Sequence, residues 1–172
     1  MLLARGYSLW LMPEGEARTK LSKIIQEFSI QHNSALFEPH ITLLGDIMEE
    51  ENEVVNKVGK ISASLRDLEV TLVSIGTRDT YFQSLFFEAK KGNALIFANK
   101  VAKDVFGKKH QFFQPHLSVL YSVLPLEEKK ALISKMEGLL PLSFNVQKIH
   151  VLSASGEPKD WKIVKEIPFT GK

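Results

Sequence analysis

Two stretches of the chain repeat one pattern: "FEPHITLLG" at 37–45 and "FQPHLSVLY" at 113–121. Each carries Phe-x-Pro-His-x-Thr/Ser, with apolar residues filling the gaps. In a strand, side chains alternate faces, so His40 and Thr42 point one way while Ile41 and Leu43 point the other. The second copy sorts identically, His116 with Ser118 against Leu117 with Val119. Two such strands facing each other give a cleft with two imidazoles and two hydroxyls. That set suits attack of water on a strained phosphodiester such as a five-membered cyclic phosphate. One neutral histidine takes the proton from water, and the protonated one supplies a proton to the departing ribose oxygen. Imidazole serves either role near neutral pH, its unperturbed pKa being about 6.5. Thr42 and Ser118 can donate hydrogen bonds to the non-bridging oxygens as charge builds there. This chemistry needs no metal and no cofactor, and two histidines without a nearby carboxylate or thiolate are a poor zinc ligand set.

The surrounding sequence supplies elements to carry these motifs. "YSLWLM" reads as a strand ended by Pro13, and Leu21, Ile24, Ile25 and Phe28 recur at helical spacing over 16–32. The first histidine motif follows as a strand over 39–47. The acidic run "DIMEEENE" opens a helix with Val54, Val55, Val58, Ile61 and Leu65 as its buried stripe, and "LEVTLVSIG" is a third strand. The order then repeats. "YFQSLFFEA" reads as a strand, and a helix capped by Asn93 buries Leu95, Ile96, Ala98, Asn99 and Ala102. The second histidine motif follows as a strand, "LPLEEKKALISKM" as a helix, and "LSFNVQKIHVLS" and "WKIVKEIPF" as strands. Trp10 precedes His40 by almost the same interval as Leu85 precedes His116. The internal repeats, about 7–76 and 81–168, predict one bilobal α+β domain over 1–172, with helices packed on antiparallel sheets.

Composition excludes several classes. The chain has 172 residues, 44% apolar and 24% charged, with a net charge of +2 and no cysteine. Neither disorder nor a disulfide scaffold fits, and so small a net charge argues against gripping a long nucleic acid through its phosphates. The N-terminal "MLLARGYSLWLM" is broken by Arg5 and followed by Pro13 and Glu14, so neither a signal peptide nor a membrane span is expected, and the expected location is the cytoplasm. His32 and His150 read as structural and His110 as a loop residue, while Gly76 and Gly107 read as turn or helix-end glycines.

At "HITL" and "HLSV" the chain resembles the 2H phosphoesterase superfamily, and "YSLWLMPEG", "TYFQSLFFEA" and the C-terminal segment from Leu142 make it most similar to the plant and fungal cyclic phosphodiesterase branch. The resemblance implies a fold of two antiparallel sheets with outer helices related by pseudo-two-fold symmetry. It implies metal-independent opening of ADP-ribose 1″,2″-cyclic phosphate, a by-product of tRNA splicing, and of nucleoside 2′,3′-cyclic phosphates to 2′-phosphates. By motif position His40, Thr42, His116 and Ser118 carry over, with His116 as base and His40 as acid. Tyr121 matches the tyrosine that ends the second motif and would bind the phosphate. Trp10 and Phe82, on the first strands of the two repeats, are candidates to sandwich a base. A monomer is expected. Two further readings stay open: an enzyme acting on RNA ends by 2′,5′ ligation or tail trimming, and a nucleotide-binding module without catalysis.

Overall fold

The computed structural model describes residues 4–171; the first three residues of the N-terminal stretch, read above as neither leader nor span, lie outside the described residues. In chain order the elements are β1 (Tyr7–Leu11), α1 (Gly15–Gln31), β2 (Ile41–Ile47), α2 (Glu51–Ala63), β3 (Leu68–Thr77), β4 (Leu85–Ala89), α3 (Asn93–Val105), β5 (His116–Leu120), α4 (Leu126–Glu137), β6 (Leu142–Val146), β7 (Lys148–Ser153) and β8 (Lys162–Pro168). These strands form one antiparallel sheet in the order β6-β3-β4-β5-β2-β1-β7-β8. It consists of two four-stranded halves that meet where β2 lies beside β5, through the pair Ile41 and Leu117. The two sheets expected from the resemblance are thus joined edge to edge. Among the described residues no helix is long and apolar enough to cross a membrane.

The last strand of the first repeat and the last two of the second lie in the other repeat's half. β3 pairs with β4, and β7 returns to pair with β1. Helices cover the apolar face: α1 packs on β5 and β6, α2 on β7 and β8, α3 on β2 and β3, and α4 on β3. Leu21, Ile25 and Phe28 of α1 are completely buried. Each such side chain stabilises by about 1.5–3 kcal/mol relative to exposure. Packing holds this helix, since Glu14 at its N-terminus makes no side-chain cap. Ile41, Leu43, Leu117 and Val119 enter the same core, which leaves the opposite face of both histidine strands for chemistry.

Several elements differ from expectation. "YFQSLFFEA" is not one strand: Tyr81–Gln83 form a 3-10 turn and only Leu85–Ala89 extend. The carbonyls of Tyr81 and Phe82 are taken by the Ser122 amide and the Ser118 hydroxyl, which substitute for a strand ladder. "LSFNVQKIHVLS" is split at Gln147, because β6 pairs with β3 in one half and β7 with β1 in the other. The first histidine strand begins at Ile41 rather than at position 39, where Pro39 has no N–H to give a ladder. Gly92, not Asn93, occupies the N-cap position of α3, and Ile96 faces solvent. Gly107, with φ of +68°, does end α3, as a left-handed C-terminal glycine should.

Gly76 is not a turn residue. It lies inside β3 opposite Phe86, and a Cβ there would come 2.3 Å from that ring. Gly76→Ala should therefore destabilise the fold by about 1–3 kcal/mol through overpacking. In a thermal-denaturation cycle, Gly76→Ala with Phe86→Leu should lose less than the sum of the single changes, because the smaller side chain relieves the clash.

Candidate active site

The antiparallel pair Ile41–Leu117 sets the site. Counting outward from it, Thr42 falls on the side of His116 and His40 on the side of Ser118, so each imidazole meets the other strand's hydroxyl. The interval from His40 to His116 equals that from Thr42 to Ser118, and the local two-fold relation passes through this pair. His40, Thr42, His116, Ser118 and Tyr121 line one cleft of about 420 Å³, together with Trp10, Phe82, Gln83 and Trp161.

Both rings are held in the same way. Nδ1 of His40 lies 2.6 Å from the Glu38 carbonyl and Nδ1 of His116 lies 2.8 Å from the Gln114 carbonyl. A carbonyl only accepts, so each neutral ring carries its hydrogen on Nδ1 and presents Nε2 as the free base. The proline of each motif lies between that carbonyl and the histidine. Each ring also meets an aromatic from the neighbouring strand. Trp10 stacks on His40 with centroids 3.4 Å apart and planes 4° from parallel, and Phe86 meets His116 edge-on at 5.2 Å. Trp10 is opposite Thr42 and Phe86 opposite Ser118, so these two aromatics are the related pair.

That pairing corrects one expectation. Phe82 is in the 3-10 turn, not on a first strand, and Trp10 is only 4% exposed with one face against His40. Trp10 and Phe82 therefore form no open sandwich for a base. Phe82 is half-buried and packs with Trp161, 6.0 Å away and tilted by 32°. The hydroxyl of Ser118 donates to the Phe82 carbonyl at 2.8 Å, and not into the open cleft as its motif position suggests. Thr42 stands half-buried on the cleft wall. Tyr121 reaches the cleft despite its odd offset from His116, since β5 ends at Leu120. It stacks on Phe37 at 3.7 Å, which gives the motif phenylalanine a structural task. His32 caps the end of α1 and His150 is buried in β7, as structural residues, while His110 is exposed in a loop. Sequence reasoning missed Gln83, Phe86 and Trp161. Phe86 could have been found by applying the interval between the two motifs to Trp10; Trp161 comes from the C-terminal segment and has no counterpart in the motifs.

Residues 5–169 match the family described as cyclic phosphodiesterase-like protein. The chain belongs to that family. It is similar to an Arabidopsis thaliana protein named cyclic phosphodiesterase, 24% identical over 89% of this chain and 87% of the relative. It is also similar to a Kluyveromyces lactis protein named 2′,3′-cyclic-nucleotide 3′-phosphodiesterase, 29% identical over 92% of this chain and 83% of the relative. Among solved structures, TT0787 of Thermus thermophilus has a TM-score of 0.68 at 13% identity, covering 97% of this chain and 99% of that one. E. coli LigT complexed with 3′-AMP has a TM-score of 0.62 at 11% identity, covering 97% and 99%. These two likenesses are of fold alone.

In this cyclic phosphodiesterase-like protein burial dominates the electrostatics. It pushes His40 down to about 3, with His116 across the cleft acting in the same direction and the Glu38 carbonyl opposing. His116 is also lowered, first by burial and then by Arg78, against the Gln114 carbonyl and Glu88. Both rings are therefore neutral at pH 7 as the structure stands. Burial also raises the Tyr121 phenol. Since His40 has an ordinary value of 6.5 when unfolded and about 3 when folded, the unfolded chain binds the extra proton between those values, and stability falls as pH drops through that window. Urea denaturation at pH 7 and pH 4 should show the wild type losing on the order of 3 kcal/mol more than His40→Asn over that interval.

Proposed function

We propose that this protein hydrolyses nucleoside 2′,3′-cyclic phosphates to nucleoside 2′-phosphates by two-histidine acid–base catalysis without metal. The observation that carries this reading is the pair of imidazoles in one cleft, each with Nδ1 held by a backbone carbonyl so that Nε2 is the basic nitrogen. His116 takes a proton from water as its oxygen attacks phosphorus. The P–O3′ bond breaks, and His40 delivers a proton to O3′. The name of the yeast relative, a 3′-phosphodiesterase, supports cleavage on that side. Among the described residues no three His, Asp or Glu side chains cluster to hold a metal. Thr42 and Tyr121 face the phosphate, and Ser118 reaches it only by releasing the Phe82 carbonyl.

The acid needs a proton that His40 lacks in the free protein, and the substrate supplies the reason to take one up. One negative charge about 4 Å away in a medium of effective dielectric about 20 is worth ~4 kcal/mol, close to the ~5 kcal/mol by which burial holds His40 neutral. The Trp10 face adds to this by favouring the cation. Substrate binding and protonation of His40 are thus coupled.

A second observation favours ADP-ribose 1″,2″-cyclic phosphate as a further substrate. A groove of about 560 Å³ adjoins the cleft across Trp10 and Trp161, with Gln26, Phe37 and Lys159 in its wall. It offers room for the distal nucleotide of such a molecule, and shortening that substrate to ribose cyclic phosphate should raise KM.

Phosphorus NMR of a nucleoside 2′,3′-cyclic phosphate should show a single 2′-phosphate product, unchanged by EDTA, with His40→Ala and His116→Ala each slower by about 10²–10⁴-fold. Turnover surviving in both variants, or abolished by EDTA, would sink the reading. Calorimetry of the same diester binding to His116→Ala at pH 7, in two buffers of different ionisation enthalpy, should show uptake of up to one proton. This ligand does not itself titrate there, so the proton is assigned to His40.

A further inference from the structure

The carboxamide nitrogen of Gln83 lies 3.0 Å from Nε2 of His116. With its hydrogen on Nδ1, facing the Gln114 carbonyl, the neutral ring offers a lone pair at Nε2, and the Gln83 N–H donates into it. With the carboxamide so oriented, an imidazolium would turn this contact into donor against donor. His40 has no such partner from the related position. Tyr7, which stands to Gln83 in the sequence as His40 stands to His116, sends its hydroxyl to Glu51 instead, at 3.2 Å. Gln83 thus breaks the two-fold equivalence of the imidazoles at the atom that exchanges the proton.

We propose that Gln83 assigns the roles of the two histidines: its carboxamide holds His116 neutral and so marks it as the base, and gives its N–H to a non-bridging phosphate oxygen when the attacking water takes its place at Nε2. This rests on the acid–base reading above. The turn that carries Gln83 is fixed from several directions. Ser118 holds the Phe82 carbonyl at 2.8 Å, and the Ser122 amide holds that of Tyr81 at 3.0 Å. Lys129 on α4, fully buried, holds the Arg78 carbonyl at 2.8 Å and Asp79 at 3.0 Å. The other groups facing His116 are few. Arg78, from the loop after β3, and His40, once protonated, favour the neutral ring, whereas Glu88 on β4 favours the cation. Glu88 is occupied by Ser74 at 2.7 Å and by Gln114 at 2.9 Å. Arg78 also bonds Gln114. Gln83 is the contact at Nε2 itself.

Proton NMR titration of the His116 ring, its signal identified by its loss in His116→Ala, tests this in the wild type, Gln83→Leu and Gln83→Glu, alongside pH profiles of kcat/KM. Gln83→Leu should raise the His116 midpoint by about one pH unit and move the acid limb of kcat/KM with it, while its maximum falls about tenfold for the lost phosphate contact. Gln83→Glu should raise the midpoint further, because a carboxylate pairs with the imidazolium. A near-isosteric change, it also carries the test if Gln83→Leu does not fold. An unmoved His116 midpoint in a folded, active Gln83→Glu would overturn the proposal and leave the reaction standing. Midpoints that shift as stated in a protein that opens no cyclic phosphate would refute the reaction and leave the proton-state assignment standing.

Discussion

The backbone pair between Ile41 and Leu117 is the constraint on which the rest depends. It joins the two halves of the sheet, and the relation between the repeats passes through it. Strand alternation then leaves no freedom. With Ile41 and Leu117 committed to the core, the residues on either side must face the cleft, and a slip in register would bury both imidazoles among apolar side chains. Helices packed across the halves hold the pair in register, since α1 lies on β5 and α3 on β2. The geometry of the cleft is set here by core packing on the opposite side of the same strands.

Burial has a second effect at the site. Rings placed deep enough to exclude bulk water lose their affinity for protons, so the cleft that brings two bases together does not by itself make an acid of either. In the proposed reaction the arriving anion would complete the acid–base pair. A site working in that way would discriminate by charge before shape, because a neutral molecule of similar size would leave the acid unprotonated.

Much of this was legible because a twofold repetition makes a weak local pattern into a strong one. The motif phenylalanines, prolines, histidines and hydroxyls recur at one offset, and the helix stripes are strongly periodic. What stayed hidden depends on departures from repetition. Tyr81 and Phe82 are strand-forming residues, but their carbonyls are claimed by Ser122 and Ser118, partners far along the chain. The apolar alternation of Leu142, Phe144 and Val146 changes phase at Gln147–Lys148 before Ile149, because its two flanks belong to different halves. Trp10 reads as a stacking platform for a base, yet its face is spent on His40. Local periodicity reports which face of a strand is apolar; it does not report which neighbour a backbone group or a ring will find.

The crossing of β3 into the second half and of β7 into the first ties the repeats together. A chain made of one repeat alone could satisfy the same pairings only as a two-fold dimer in which each copy lent its last strand to the other. The short connection through Arg78 and Asp79 converts that exchange between molecules into one within a molecule, at a high and fixed effective concentration. Two identical copies would have to present their histidines alike. Within one chain the two halves are free to differ at single positions such as Tyr7 and Gln83 over a shared core.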